Sequence, residues 1–122
     1  MLLYGMPLSY QITRLPRFVR FKVSGAAELA DMHALIEAVA RDSAGDRRAL
    51  VDRRDVQENL RFTDHYAIGE LVARRLNHLE RLGSLVPPER RTGTSEKVAT
   101  AQGTALRVFV DDDQACAWLS GD

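Results

Sequence analysis

The chain has 122 residues, of which 45% are hydrophobic and 28% are charged. This length has room for one domain with one core, and the composition excludes the disordered, fibrous and membrane-protein classes. Seventeen Lys and Arg residues balance seventeen Asp and Glu residues, so the chain lacks the net positive field of a nucleic-acid-binding protein. We therefore predict no nucleic-acid partner.

The N-terminus has no basic start, and its apolar run is too short for a signal peptide. No stretch of the chain approaches the roughly 18 apolar residues of a membrane span. We therefore predict a cytoplasmic protein in which residues 1–7 are a poorly ordered extension and residues 8–122 form one domain. Met6 is an alternative to Met1 as the true start.

The first predicted element is a β-hairpin, with strands at residues 10–15 and 18–25 and its turn at Pro16-Arg17. Apolar residues alternate with charged ones in the second strand, which is typical of a strand with one solvated face. Apolar residues then recur at spacings of three and four, which predicts a helix over residues 26–41. That apolar stripe is Leu29, Met32, Leu35, Ile36 and Val39.

The run ALVD at residues 49–52 is short and apolar between polar flanks, which predicts a central strand covered on both faces. A charged loop is expected to follow it. Thr63 is a good N-cap for a second helix, which we expect Gly83 to end. The run SLVP at residues 84–87 predicts a fourth strand.

The last third predicts a weak helix over residues 95–102 and a fifth strand over residues 106–110. A closing helix follows, because Asp111 and Gln114 have the spacing of a capping box. Strand and helix alternate from residue 17 onward, which favours repeated strand-helix-strand crossovers. The predicted fold class is a single α/β domain whose mixed sheet of about five strands opens with an antiparallel hairpin and carries about four helices.

The hairpin opening, the run ALVDRRDVQENLRFT and the close RVFVDDDQACAWL resemble the SpoIIAA-like or STAS-type bacterial domains, in a branch also compared with CRAL-TRIO lipid-binding domains. The resemblance extends over residues 8–119. It implies a SpoIIAA-like fold and a non-catalytic regulatory or protein-interaction module. The CRAL-TRIO comparison implies, as the alternative, a carrier or sensor of a small apolar or lipid-like ligand.

In that family a Ser or Thr close behind the strand equivalent to ALVD is phosphorylated and controls docking to a kinase partner. Here no Ser or Thr stands between Asp52 and Thr63, so the switch motif is missing. Thr63 is either an ordinary N-cap or a phosphorylation site whose phosphate the helix N-terminus would stabilise. The candidate partner-binding loop consists of Arg53, Arg54, Asp55, Thr63 and Asp64.

Other polar residues also admit plain structural roles. Asp52, Asp55 and Asp64 resemble a carboxylate cluster for acid-base chemistry or a metal, but the arginines among them favour ion pairs. The single cysteine excludes an internal disulfide, and its place beside Trp118 on a predicted helix favours a buried apolar role over a nucleophile. The three histidines, His33, His65 and His78, have no ligand-motif spacing.

Two further sets of residues are candidate sites. The loop before the weak helix offers guanidiniums, hydroxyls and backbone amides to an anion, through Arg90, Arg91, Thr94 and Ser95. Large aromatic residues are either core or the wall of an apolar pocket: Phe21, Tyr66, Phe109 and Trp118. No nucleophile-base set, metal cluster or cofactor motif can be assembled, so we predict no enzyme activity, cofactor or metal. A protein partner, a homodimer or a small apolar ligand remain as expected partners.

Overall fold

The computed structural model describes residues 7–90 and 94–121, with the side chain of Ser95 left out. The strands in chain order are β1 (Ser9–Arg14), β2 (Val19–Ala27), β3 (Arg48–Glu58), β4 (Arg81–Leu85) and β5 (Leu106–Phe109). The helices are α1 (Leu29–Asp42), α2 (Phe62–Arg75), α3 (Thr94–Ala101) and α4 (Asp112–Ser120), with a short 3₁₀ helix at Pro88–Arg90. The predicted single α/β domain is confirmed.

The strands form one mixed sheet in the order β1-β2-β3-β4-β5. β1 pairs antiparallel with β2, and each later strand runs parallel to its neighbour. Helices between the parallel strands return the chain to the end of the sheet at which each strand begins, as a parallel connection requires. The mixed sheet with an opening hairpin is therefore confirmed, and β1 and β5 are its edges.

The helices divide unequally between the two faces of the sheet. α1, α2 and α3 contribute to the larger core, where α1 buries the predicted stripe residues Met32, Leu35, Ile36 and Val39. α4 covers the other face through Ala115 and Leu119, which pack on Leu50, Leu85 and Phe109. The C-terminal carbonyls of α4 accept hydrogen bonds from the strands, from Arg48 to Leu119 at 3.0 Å and from Arg81 to Trp118. No helix in the described ranges is long and apolar enough to cross a membrane.

Some element boundaries differ from the predicted ones. The first helix begins three residues later than predicted, because Ala26 and Ala27 continue β2 and pair with Gln57 and Glu58 of β3. The second helix ends at Arg75, well before Gly83, which lies inside β4.

Gly83 therefore ends no helix and has a packing role instead. A Cβ at this position would lie 3.1 Å from Leu50 Cδ1 and 3.3 Å from Leu119 Cδ1. The missing side chain lets α4 lie close against β4. A sequence pattern cannot tell such a glycine from a helix stop, because the contact is with residues far along the chain.

Candidate functional site

β3 extends well beyond its neighbour β4 and forms a projecting tip at the carboxyl end of the sheet. β4 pairs with β3 only as far as Asp52, whereas β2 stays paired with β3 as far as Glu58. Arg53, Arg54 and Asp55 therefore lie in a strand, and the prediction of a charged loop here is wrong. The strand tolerates these charges because each of the three side chains has an oppositely charged partner.

Asp52 is the centre of a charged cluster on the α4 side of the sheet. It is fully buried, and its carboxylate accepts hydrogen bonds from Arg20 Nη2 at 2.8 Å and from Arg54 Nε at 3.0 Å. The backbone N–H of Arg54 donates to the same carboxylate at 3.2 Å. Burial alone would raise the pKa of Asp52, but the hydrogen bonds and charge of Arg54, together with the charge of Lys22, lower this pKa to about 2.

The same cluster reaches the first turn of α4. Arg20 binds Asp112 with both terminal nitrogens, at 2.9 and 3.0 Å, and these hydrogen bonds lower the pKa of Asp112. Cys116 Sγ lies 3.3 Å from Asp112 Oδ1. Burial and the neighbouring Asp112 raise the pKa of the Cys116 thiol, which disfavours the reactive thiolate. The cluster thus joins β2, β3 and α4 by charge-assisted hydrogen bonds and presents no nucleophile.

The three aspartates that resembled a metal site have different partners and do not form one site. Asp52 is enclosed by arginines, Asp55 pairs with Lys22 at 3.1 Å, and Asp64 accepts the backbone N–H of Arg61 at 2.8 Å. The described part of the chain contains no group of three potential metal ligands. The histidines are also separate, with His78 Nε2 located 3.2 Å from Ser43 Oγ.

Arg53 points to the opposite face, beneath α1 and α2. Its Nε donates to Ser84 Oγ at 2.8 Å, and its Nη1 donates to the carboxylate of Glu58. Arg90 approaches the same tip from the 3₁₀ helix and donates to the backbone carbonyls of Val56, Arg53 and Arg54. Arg90 thereby satisfies strand carbonyls that β4 does not reach.

The hydrogen bonds of Arg90 affect the predicted anion site, of which Arg90 is one residue. Arg90 is occupied by carbonyl oxygens of β3, and Thr94 begins α3. Arg91 lies outside the described residues, as does the side chain of Ser95. An anion site formed by all four residues stays a prediction.

The first two turns of α2 present two aromatic side chains to solvent. Phe62 is 73% exposed and Tyr66, one turn later, is 54% exposed. The helix begins at Phe62 with Arg61 as its N-cap, so the prediction of Thr63 as N-cap is wrong. Thr63 instead lies exposed within the first turn. Sequence reasoning did not select Phe62. Its position outside the apolar stripe of α2, which includes Ile68, Leu71 and Val72, was a usable signal.

The four aromatic residues of the predicted apolar pocket do not meet. Phe21 is buried in the larger core with its ring 5.9 Å from Tyr10, whereas Phe109 and Trp118 contact each other at 5.6 Å on the α4 side. Tyr66 is in solvent. A different cavity of about 60 Å³ lies beneath α1 and α2. It is far below the roughly 300 Å³ of a typical ligand pocket, so a lipid chain has no room there.

No family model matches the sequence, and no curated protein matches it. The fold, however, is similar to that of solved structures. One is an uncharacterized protein of the DUF3478 family from Shewanella loihica PV-4, which has a SpoIIAA-like fold. It matches with a TM-score of 0.61 and 18% identity over 92% of this chain and 93% of that one.

Two anti-sigma factor antagonists are also similar. The one from Mycobacterium paratuberculosis has a TM-score of 0.57 at 14% identity, over 93% of this chain and 95% of its own. Unphosphorylated SpoIIAA has a TM-score of 0.52 at 16% identity, over 93% of this chain and 100% of its own. The predicted SpoIIAA-like fold is therefore confirmed.

Proposed function

We propose that this chain is a non-catalytic regulatory module that binds a protein partner at the carboxyl end of the sheet, through the loop between β3 and α2 and the first two turns of α2. The observation that carries the proposal is the exposure of Phe62 and Tyr66 side by side at that end of the sheet. Aromatic residues are enriched at the centres of protein interfaces, where they supply much of the binding energy. We call the surface formed by residues 59–66 the docking surface.

The docking surface rests on a well-supported scaffold. The opposite side of α2 is buried through Ile68, Leu71 and Val72, which fixes the helix on the sheet. Arg90 donates hydrogen bonds to backbone carbonyl groups at the tip of β3, which precedes this surface in the chain. Binding through such a surface costs little ordering entropy, which favours affinity.

The similar structures support a regulatory partner. Two of them are anti-sigma factor antagonists, proteins named for opposing another regulatory protein. We extend this to the present chain and propose a regulatory protein as its partner. A second copy of the chain is the competing occupant. The alternative of a lipid carrier gains no support from the small cavity beneath α1 and α2.

The test begins with crosslinking capture of partners from the source cells, followed by purification of the retained protein. Its dissociation constant is then measured with the wild type, Phe62→Ala and Tyr66→Ala. Truncating a central aromatic should weaken binding by about 30-fold, which corresponds to about 2 kcal/mol. Ile12→Ala is the matched control, because Ile12 is also an exposed apolar residue but lies on β1.

The results distinguish a regulatory partner on the docking surface from a second copy of the chain. Loss of binding in Phe62→Ala, with Ile12→Ala unchanged, supports the proposal. If the wild type retains no partner but is a dimer that Phe62→Ala dissociates, a second copy occupies the surface and the regulatory partner is refuted. Undiminished binding by both aromatic variants refutes the docking surface itself.

A further inference from the structure

A cleft lies at the β5 edge of the sheet, where α3, β5 and α4 meet. Its volume is about 610 Å³, within the range of roughly 300 to 1,000 Å³ that is typical of small-molecule sites. Its lining includes Lys97 and Ala101 of α3, Leu106 and Arg107 of β5, and Trp118 of α4. The cleft is open to solvent, so a ligand could enter it without any rearrangement of the fold.

Arg107 is an exposed cation whose position in this cleft is fixed by aromatic rings. Its guanidinium carbon lies 5.3 Å from the ring centre of Trp118 and 5.3 Å from that of Phe109. These contacts attract the positive charge but supply no strong acceptor for the N–H groups. Among the described residues Arg107 has no hydrogen bond and no ion pair. Its guanidinium therefore presents N–H donors that can bind a carboxylate.

The charges that line the cleft sum to one positive charge. Lys97 is exposed, and it pairs with no acidic residue in the part of the chain that the structure describes. Glu96 also lines the cleft, but its Oε2 accepts the backbone N–H of Val108 at 2.6 Å, which ties this carboxylate to β5. Lys97 and Arg107 thus oppose a single acidic residue. A singly charged anion would neutralise the excess.

The remaining lining favours a flat apolar group beside that anion. Leu106, Ala101 and the half-buried indole of Trp118 supply apolar surface. Aromatic rings pair favourably with tryptophan, and they also stack on guanidinium groups. An acid with one aromatic ring is much smaller than this cleft, so its size is no obstacle. The lining therefore favours an aromatic acid over an aliphatic one.

We propose that this cleft binds a small aromatic carboxylate, whose carboxylate pairs with Arg107 and Lys97 and whose ring packs against Trp118. The two unpaired cations determine the charge of the ligand, and the indole determines its aromatic character. None of the residues that line the cleft belongs to the docking surface. Binding here is therefore independent of the proposed regulatory partner.

The test uses cinnamate as the probe, cinnamamide as its neutral analogue and cyclohexanepropanoate as its non-aromatic analogue. Each is titrated into the isotopically labelled chain. Trp118 is the only tryptophan, so its indole N–H gives one NMR signal that reports on the cleft. We expect cinnamate to shift this signal saturably at millimolar concentration. Cinnamamide should bind about tenfold more weakly and cyclohexanepropanoate about threefold more weakly.

Two variants test the position of the carboxylate. Arg107→Gln should weaken cinnamate binding by about tenfold, because it removes the charged partner of the carboxylate. Arg41→Gln is the matched control, since it also removes one exposed positive charge but lies beside Tyr10 of β1, at the opposite edge of the sheet. This control should bind cinnamate as the wild type does. Both arginines are exposed, so we expect both variants to fold.

Each outcome supports or overturns a part of the proposal. Weaker binding of cinnamamide to the wild type and of cinnamate to Arg107→Gln, with Arg41→Gln unchanged, supports the carboxylate site. Equal binding of cinnamate and cinnamamide, or equal loss in the two variants, overturns it. Equal binding of cyclohexanepropanoate overturns the aromatic assignment, and the absence of any saturable shift overturns the site. All of these leave partner binding by the docking surface unaffected, so the two proposals fail separately.

Discussion

Replacing Asp52 with asparagine should destabilise the fold by about 2 to 3 kcal/mol. The asparagine side chain would keep an acceptor oxygen but lose the charge that neutralises Arg20 and Arg54. Removing one partner of a buried ion pair costs about 3 to 5 kcal/mol. The expected loss is at or below the bottom of that range, because Arg54 is 37% exposed and Asp112 still pairs with Arg20.

The lowered pKa of Asp52 gives a similar estimate of its contribution to the free energy of unfolding. A fall from 3.8 to about 2 corresponds to about 2 kcal/mol of preferential stabilisation of the charged form in the folded protein. Because the folded-state pKa is the lower one, this contribution is fully present above pH 3.8 and is lost as pH falls toward 2. The wild type should therefore lose its advantage over Asp52→Asn across that window.

The assay is urea unfolding of both proteins at about pH 7 and about pH 2.5, with the free energy of unfolding extrapolated to water. Asp55→Asn is the matched control, since Asp55 is 58% exposed and pairs with Lys22 at the surface. The control should lose less than about 1 kcal/mol. Equal loss of stability in both variants at neutral pH would refute the stabilising role of the buried carboxylate. A gap between wild type and Asp52→Asn that stays constant in acid would refute it as well.

Three other predictions concern single positions. Gly25→Ala should cost about 2 kcal/mol or more in thermal or urea unfolding, since Gly25 has φ of +116° and a Cβ would overlap the Pro7 carbonyl oxygen; an unchanged midpoint would contradict this. Cys116 should react with a disulfide reagent more slowly in the folded protein than in the unfolded chain, because its pKa is raised. Asp112→Asn should speed the reaction of the folded protein, and equal rates in this variant and the wild type would count against the contact between Asp112 and Cys116. Thr104→Val should be neutral or stabilising by up to about 1 kcal/mol, because the buried Thr104 hydroxyl has no hydrogen-bond partner within the described ranges; clear destabilisation would reveal a missing partner.

The fold could be predicted well because its signals are local and periodic. The alternation in β2 and the three-and-four spacing in α1 each reflect one buried face, and both elements occur near their predicted positions. The same regularity yielded the order of strands and helices from residue 17 onward. Packing between sheet and helices imposes these periods, so a single sequence contains them.

The tip of β3 could not be predicted in the same way. Arg53, Arg54 and Asp55 have the composition of a loop, and only their pairing with Glu58, Asp52 and Lys22 allows the strand to continue. These are tertiary contacts, and the register of β2 and β3 determines them. The loop prediction failed for this reason, because β3 continues to Glu58. The misplaced N-cap is a separate error, since α2 begins at Phe62, two residues earlier than an N-cap at Thr63 implies.

The candidate site shows a similar limit. Tyr66 was grouped with the buried aromatics by residue type, although its position outside the apolar stripe of α2 indicates the exposed face of the helix. Its helical neighbour Phe62, four residues earlier, was left out although both are exposed. The ion pair of Asp52 with Arg54 was expected from the sequence and is present, but the burial of Asp52 and Arg53 was not expected. A charged residue looks solvated in a sequence until its three-dimensional neighbours are known.

The most direct test of the docking surface is hydrogen–deuterium exchange of the chain with and without its purified partner. Binding through the docking surface predicts slowed exchange at residues 59–66, with the edge strand β1 unchanged. Slowed exchange at residues 59–66 that Phe62→Ala abolishes would identify the exposed aromatic turn as the contact. Protection of β1 or α4 without any change at residues 59–66 would contradict the proposed docking surface.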